Sequence, residues 1–148
     1  MKLITDLKQS CSEPASVALG CFDGIHLGHQ AVIGRAVADK SNGLTPSVFT
    51  FQENPLQVLT ENTVPTLLTP DTRNRIFEEI GVEQVFIPSF REVMNLEAEE
   101  FIHAVLKQYC KAERVYCGFN FHFGKGGKAG SEELKQFGEK YGIKVTVV

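Results

Sequence analysis

Residues 20–29 read Gly20-Cys21-Phe22-Asp23-Gly24-Ile25-His26-Leu27-Gly28-His29, and this stretch decides the fold. It follows a short apolar run at residues 16–19 and precedes residues 30–38, in which apolar side chains recur at helical spacing. That order predicts a strand, a glycine turn and a helix. A glycine turn at a helix start presents backbone N–H groups and the positive end of the helix dipole, which suits a phosphate group. The stretch therefore indicates nucleotide chemistry.

Two histidines and three glycines give the turn its chemical character. Because His26 and His29 are three residues apart, they are predicted to lie on one face of the first helical turn and to donate hydrogen bonds to one anion. Gly20 and Gly24 are expected to let the chain turn and approach a ligand closely. Gly28 costs about 1 kcal/mol relative to alanine inside a helix, and close approach of a base or ribose is the expected compensation.

The turn differs from two common phosphate motifs. It does not match G-x-x-x-x-G-K-[ST], and it lacks the third glycine of the dinucleotide fingerprint. A single histidine is more often an ordinary surface or core residue than a functional one. Two histidines in one glycine-rich turn favour the functional interpretation.

Length and composition set the class of protein. The chain has 148 residues, 43% of them hydrophobic and 22% charged, as in one globular domain of ordinary size. A net charge of -3 argues against a general nucleic-acid binder, and no apolar run reaches the ~20 residues that cross a bilayer. The four cysteines form no C-x-x-C pair and predict reduced thiols. We expect a cytoplasmic protein with small-molecule substrates and neither nucleic acid nor membrane as a partner; its oligomeric state is unknown from sequence.

Strands are predicted to alternate with helices along the whole chain. This pattern is typical of an α/β, Rossmann-like parallel sheet of about five strands with helices on both faces. Ligands of such sheets bind outside the carboxyl ends of the strands, so the loops after the first, second and fourth strands are the candidate site walls. The predicted strands are 17–20, 46–51, 82–87, 114–117 and 143–148, with a short edge strand at 1–4; the predicted helices are 26–42, 70–80, one from 95 or 96, and 131–141.

Several local signals accompany these elements. Thr69 and Pro70 predict a helix N-cap and first position, and Gly81 predicts the end of that helix. Pro55 is expected to break regular structure after the second strand. Side chains expected to have no functional role are Cys21 and Cys117 as small buried hydrophobes, Arg73 and Arg75 on a helix surface, and Lys125 and Lys128 as solvated charges.

The turn sequence Gly-x-Phe-Asp-Gly-x-His-x-Gly-His resembles the signature of the FMN adenylyltransferase module of bacterial bifunctional riboflavin kinase/FAD synthetases. That module belongs to the nucleotidyltransferase superfamily, which shares the His-x-x-His turn. Three further segments resemble the module, and essentially all 148 residues align with it in order. They are Thr50-Phe51 with Pro55, the segment from Leu68-Thr69 to Arg75, and Gly118-Phe119-Asn120-Phe121-His122-Phe123-Gly124.

The resemblance implies a role for each matching residue. His26 and His29 would bind the phosphates of ATP and stabilise the charge that builds as pyrophosphate leaves. The nucleotide site would be lined by Gly20, Phe22 and Asp23, with Gly24 and Gly28 permitting close approach. Asn120, with Phe119, Phe121 and Phe123 around it, would help to form the nucleotide and flavin pocket, although Phe121 and Phe123 are equally well explained as core residues.

The implied reaction is attack of the FMN phosphate on the α-phosphorus of ATP, which gives FAD and pyrophosphate. ATP and FMN would be the substrates, Mg²⁺ would neutralise the triphosphate, and no protein nucleophile or protein metal ligand is implied. Two alternatives stay open. One is a nucleotidyltransferase for another phosphorylated acceptor, such as phosphopantetheine or a nicotinamide nucleotide. The other is a non-catalytic flavin- or nucleotide-binding remnant.

The sequence departs from the family pattern in three places. Glu53-Asn54-Pro55 replaces the usual Pro-His-Pro, and Asn54 can bond a phosphate or ribose but cannot carry a positive charge. The family's Ser-Ser-Thr-x-x-Arg segment and its riboflavin kinase domain would both lie after Val148. We therefore expect residues 1–148 to be an FMN adenylyltransferase-like domain, truncated at its C-terminal side, with weak substrate binding and low turnover by itself.

Overall fold

A parallel sheet forms the centre of the protein in a computed structural model that describes residues 1–9, 13–63 and 68–148. Cys11 and Pro65 lie outside these ranges. In the described part the sheet has six strands in the order β1-β4-β3-β2-β5-β6. The parallel α/β class is confirmed. The short edge segment predicted at residues 1–4 is a strand of the sheet, because it pairs with β4, and it brings the number of strands to six. The strands are β1 (Lys2–Ile4), β2 (Ala15–Leu19), β3 (Thr45–Phe49), β4 (Gln84–Phe86), β5 (Ala112–Cys117) and β6 (Lys144–Val147).

The helices connect these strands. None of those in the described ranges is long and apolar enough to cross a membrane. They are α1 (Leu27–Ala38), which ends in a 3-10 turn (Asp39–Asn42), α2 (Pro55–Thr60), α3 (Pro70–Ile80), α4 (Phe90–Val93), α5 (Ala98–Glu100), which continues as a π-helix (Phe101–Tyr109), a 3-10 turn (Lys125–Gly127) and α6 (Ser131–Lys140).

Three helix starts show where the sequence signals succeed and fail. The Thr69 hydroxyl accepts the Thr72 N–H at 3.2 Å, so the predicted cap of α3 is confirmed. The prediction that Pro55 breaks regular structure is wrong, because proline's fixed φ and missing N–H suit the first position of α2. The helix predicted from residue 95 or 96 begins later, at Ala98, because Glu97 and Glu100 form a capping box there.

Helices cover both faces of the sheet, as predicted. On one face, Val17 and Leu19 of β2 pack in a core that includes the π-helix residues Phe101 and Leu106. On the opposite face, Ala18 packs with residues of α1 and α3. Alternate residues of β2 therefore enter two different cores, which explains why this strand is buried along its entire length.

The order of the strands places a crevice at the carboxyl end of β2. This strand pairs with β3 on one side and with β5 on the other. After β2 the chain continues to β3 on one side of it, whereas after β5 it continues to β6 on the other side. The loops that follow β2 and β5 therefore diverge at this point. Such a reversal of strand order is where open parallel sheets bind ligands. The glycine turn follows β2 directly and lies at this point.

A buried carboxylate fixes the opposite end of α1. Asp39, only 4% exposed, accepts hydrogen bonds from Ser16 (2.9 Å), Tyr116 (2.5 Å), Asn42 (3.0 Å) and Arg114 (2.8 Å). Burial acts to raise the pKa of Asp39, but the three neutral donors and the charge of Arg114 together hold that pKa below its ordinary value. The network ties the end of α1 to β2 and β5, and so sets the orientation of the helix that carries the histidines.

Replacing Tyr116 by phenylalanine tests this network. The Asp39 carboxylate would lose its shortest hydrogen bond, and we expect the free energy of unfolding at pH 7 to fall by about 1–3 kcal/mol. Urea unfolding measures the change. Tyr141→Phe is the matched control, because its hydroxyl bonds Glu99, which is far more accessible to solvent than Asp39, and we expect a smaller loss there.

The difference in the free energy of unfolding between wild type and Tyr116→Phe is expected to depend on pH. Because folding lowers the pKa of Asp39, the network stabilises the protein fully above the ordinary carboxyl pKa of about 4 and loses this contribution as pH falls below it. The difference between wild type and Tyr116→Phe should therefore shrink below about pH 4. Equal losses in the two tyrosine variants at pH 7 would contradict a special role for Asp39.

Candidate active site

His26 begins α1 and caps its N-terminus with its own ring. Its Nδ1 atom accepts the backbone N–H groups of Gly28 at 3.1 Å and of His29 at 3.4 Å. A ring nitrogen that accepts carries no hydrogen, so the proton of the neutral ring is on Nε2. N-caps are usually serine, threonine, aspartate or asparagine, and for this reason the sequence did not predict the role.

His29 has the opposite arrangement of ring protons. Its Nδ1 atom lies 2.7 Å from the carbonyl oxygen of Gly24 and must donate, because a carbonyl only accepts. Its Nε2 atom therefore has a free lone pair in the neutral ring. Burial is the main cause that lowers the pKa of His29, and the neighbouring His26 lowers it further, against the opposing effects of the Gly24 bond and Asp23. In the free protein the neutral ring is favoured near pH 7.

The two imidazole rings stack on each other. Their centroids are 3.7 Å apart and their planes differ by 22°. The predicted placement on one side of the first helical turn is thus confirmed as geometry, whereas their catalytic role stays a prediction.

The glycines of the turn make room for the protein's own rings. A Cβ atom on Gly28 would lie 3.0 Å from Cε1 of His26, and one on Gly20 would lie 2.7 Å from Cζ of Phe22. A side chain at position 20 would force the Phe22 ring to move, and one at position 28 would press tightly against the His26 ring. These glycines thus have an internal cause, and their predicted role in the approach of a ligand stays a prediction. Gly24 contributes its carbonyl oxygen to His29.

Phe22, predicted to line the nucleotide site, is mainly a core residue. It is 1% exposed, and its φ of 49° is left-handed, which is uncommon for a bulky residue. Its ring meets that of His29 edge to face at 5.2 Å and that of Phe77 at 6.0 Å. Phe22 borders the cavity described in the next paragraph. Its principal effect is to hold the ring of His29 in place by packing against it.

A cavity of about 530 Å³ opens beside the histidine pair at the carboxyl ends of β2, β3 and β5. Its volume is typical of sites for small ligands. Its walls are largely aromatic and apolar, a surface that suits a planar ring system. Besides both histidines, the predicted site residues that line it are Gly20, Phe22, Gly28, Asn120, Phe121 and Phe123; lining residues that were not predicted as site residues are Phe49, Phe51, Phe90, Phe101 and His122.

The loop after β5 supplies one wall of this cavity. Phe123 is 6% exposed and stacks on the half-buried Phe121 at 5.9 Å, so both rings are packed and also border the cavity. Asn120 is exposed at its edge, and Phe119 is 81% exposed at its mouth. The two interpretations of these aromatic residues, core and ligand contact, are therefore compatible.

Two predicted site residues lie in a smaller neighbouring pocket of about 100 Å³ instead. Asp23 and Asn54 line this pocket and do not line the aromatic cavity. Asn54 caps α2, with its Oδ1 atom accepting the Leu56 N–H at 2.9 Å. A structural cause thus accounts for the asparagine, and its proposed contact with phosphate or ribose is untested.

Two predictions about ordinary side chains are wrong. Arg73, expected on a helix surface, is half-buried and lines the smaller pocket. Cys21, expected to be buried, is exposed and borders both pockets, because the left-handed turn at Phe22 turns that ring inward. Cys117 is buried as predicted, and burial raises the pKa of its thiol to about 11. Arg75, Lys125 and Lys128 are exposed, as expected.

No group of three or more histidine, cysteine, aspartate or glutamate side chains in the described ranges is placed to hold a metal ion. Within these ranges, the expected Mg²⁺ would find no cluster of three such ligands. The polar side chains that line the cavity are imidazoles and an amide, namely His26, His29, Asn120 and His122. Such a set suits the oxygens of an anion.

The chain matches the family model described as FAD synthetase over residues 8–148. It is 41% identical over 118 residues to the bifunctional riboflavin kinase/FMN adenylyltransferase of Bacillus subtilis, which covers 76% of this chain and 36% of that protein. It is 30% identical over 152 residues to the Escherichia coli K12 protein of the same description, which covers 99% of this chain and 49% of that protein. The chain thus spans half or less of the length of these relatives.

Solved structures agree with these matches. A crystal structure described as a macrolide-efflux protein from Streptococcus pneumoniae superposes with a TM-score of 0.82 and 31% identity over 99% of this chain and 48% of that one. A pantoate-beta-alanine ligase from Francisella tularensis has a TM-score of 0.64 at 18% identity, covers 100% of this chain and 66% of its own, and shows the shared fold alone. Since the family model extends over nearly the whole sequence, this chain belongs to the FAD synthetase family.

Proposed function

We propose that the protein transfers AMP from ATP to FMN and thereby forms FAD and pyrophosphate. The observation that carries this proposal is the stacked histidine pair at the start of α1, which borders an aromatic cavity at the carboxyl end of β2. The pair provides hydrogen bonds for a polyphosphate, and the cavity provides a surface for a flavin ring. Membership of the FAD synthetase family supports the same reaction.

The histidine pair would serve the donor, ATP. His26 donates from Nε2 in its neutral form, whereas His29 donates from Nε2 only after it gains a proton. In the reaction a phosphate oxygen of FMN bonds to the α-phosphorus of ATP, and the bond from that phosphorus to the bridging oxygen of the β-phosphate breaks. Negative charge increases on the departing pyrophosphate. Donors placed in advance at that charge lower the barrier.

The aromatic cavity would serve the acceptor, FMN. The rings of Phe49 and Phe51 meet edge to face at 5.4 Å, and that of Phe101 lies 5.5 Å from Phe123. These contacts hold the wall rigid before any ligand arrives. An acceptor without a ring system has no use for such a surface, which favours a flavin over phosphopantetheine. Asn120 at the rim provides a polar group for either substrate.

In the proposed reaction, Mg²⁺ is bound by the triphosphate of ATP. The described residues offer no carboxylate cluster for it, and no step here depends on a protein-held metal. When bound to ATP, the ion neutralises phosphate charge.

We further propose that residues 1–148 act as the FMN adenylyltransferase domain of a longer, bifunctional cytoplasmic protein. The support is that curated relatives with this description match the chain with about a third to a half of their length. Small-molecule substrates are then the expected partners, with no part for nucleic acid.

Product formation tests the reaction directly. The chain is incubated with ATP, Mg²⁺ and FMN, and FAD is detected by its quenched fluorescence together with released pyrophosphate. Riboflavin replaces FMN in the control, since it has no phosphate to attack ATP. Both products should appear with FMN alone, at low turnover. Binding of ATP and FMN without any product would instead favour a non-catalytic binding module.

Replacing His29 by alanine should lower kcat on the order of 10²–10³-fold, because a donor to the developing charge is lost. Steady-state kinetics of FAD formation measures this. His103→Ala is the matched control, since His103 is exposed and stacks on Tyr141 away from the cavity. A loss smaller than fivefold for His29→Ala would contradict the assigned role.

The protonation of His29 predicts a pH dependence of ATP binding. In the free protein burial lowers the pKa of His29 below the ordinary 6.5, whereas a bound triphosphate beside Nε2 raises it. The contribution of His29 to affinity is therefore greatest at low pH and declines as pH rises through the pKa of the complex. Calorimetry in buffers of different ionisation enthalpy should show about one proton taken up on binding.

His29→Gln provides the reference for this measurement. The variant retains His26 and the charges of Asp23 and ATP, so any proton uptake that persists in it belongs to other groups. Wild type and variant with the same uptake and the same pH profile would exclude His29 as the protonated donor.

A further inference from the structure

The side chain of Arg73 is half-buried, and its Nε atom has no hydrogen-bond partner among the residues that the structure describes. Its Nε atom is inaccessible to solvent and makes no hydrogen bond, and no ion pair forms to its side chain within the described ranges. Arg114, by contrast, is paired with Asp39. A buried donor without an acceptor is unfavourable in the free protein, which points to an acceptor that arrives with a ligand.

The position of Arg73 is well defined by α3. Its backbone N–H donates to the carbonyl oxygen of Thr69 at 2.9 Å in the first turn of the helix. It lies four residues before Phe77, so the two side chains share a face of the helix. Phe77 is fully buried against Phe22 of the glycine turn. Arg73 is therefore on the side of α3 that faces the candidate site.

The pocket at Arg73 adjoins the aromatic cavity. Its volume is about 100 Å³, and Cys21, Phe51 and Pro55 border both spaces. A ligand that fills the cavity with its ring can thus extend a short chain toward Arg73. The smaller pocket is much too narrow for a second ring system and has room for a group of a few heavy atoms.

Two carboxylates also border this pocket. Glu53 is already engaged, because its oxygens accept the Ser89 hydroxyl at 2.7 Å and the Phe90 N–H at 2.8 Å. The negative charge of Asp23 repels an anion in this pocket. Any attraction for an anion must therefore come from the guanidinium of Arg73. Arginine suits this task because its fork of N–H donors matches two oxygens of a phosphate group at once.

We propose that Arg73 binds the phosphate of the acceptor nucleotide while the aromatic cavity holds the ring. This inference rests on the proposed function, in which one substrate is a flavin with a terminal phosphate. The reaction brings two anionic groups together, and the histidine pair serves the triphosphate. Arg73 serves the second anion and makes the site selective for a phosphorylated flavin over riboflavin.

Flavin titrations test the assignment. Binding of FMN and of riboflavin is followed by flavin fluorescence for wild type, Arg73→Gln, Arg73→Lys and Arg75→Gln. Arg73→Gln should weaken FMN binding by roughly 10- to 100-fold, the loss typical of a charged hydrogen bond, and leave riboflavin binding unchanged. Arg73→Lys should retain part of the preference for FMN. Arg75→Gln, an exposed neighbour on the same helix, should match wild type.

Each other outcome has a definite meaning. If Arg73→Gln keeps the wild-type preference for FMN, the inference is wrong and the proposed function is unaffected. If FMN and riboflavin affinities fall together, with a lower melting temperature, Arg73 is a structural residue and the inference is again wrong. If wild type binds neither flavin, the proposed function fails and the inference fails with it.

Discussion

The capping of α1 by the His26 ring is the interaction on which the rest of the site depends. By accepting two backbone N–H groups, Nδ1 fixes both the start of the helix and the position of the ring proton. His29 is fixed equally by its bond to Gly24 and by the Phe22 ring beneath it. The stacked pair is thus held by the backbone of the turn, and under the proposed function its rings would need no reorganisation to meet a phosphate group.

Buried polar groups are paired within the protein at one end of α1, whereas beside the cavity one of them is left unpaired. At the end of α1 that lies away from the histidines, every oxygen of Asp39 is satisfied by donors from three elements. In the smaller pocket beside the cavity, the Nε atom of Arg73 has no acceptor among the described residues. Unsatisfied donors beside a preformed apolar cavity favour a ligand that has both a ring and anionic oxygens.

Much of the fold was predictable because its signals are local. Strand residues such as Val17 and Val48, the Thr69 cap and the glycine turn follow from neighbours in sequence. The site was predictable only in part. The left-handed Phe22 turns its ring inward and leaves Cys21 exposed, and no composition signal indicates this. Phe51 and Arg73 join the site through tertiary packing of distant segments, which one sequence without structure does not reveal.

The rings of His26 and Phe22 occupy the space beside two glycines of the turn, and this packing constrains the turn sequence independently of any ligand. Gly20 and Gly28 are favoured whatever the acceptor is, because the contacts that crowd a side chain at these positions are internal. Proteins that diverge from a common ancestor with this turn are thus free to change the cavity walls while the turn stays constant. Acceptor choice would then diversify in the loops after β3 and β5, and the shared turn would mark common ancestry rather than a common substrate.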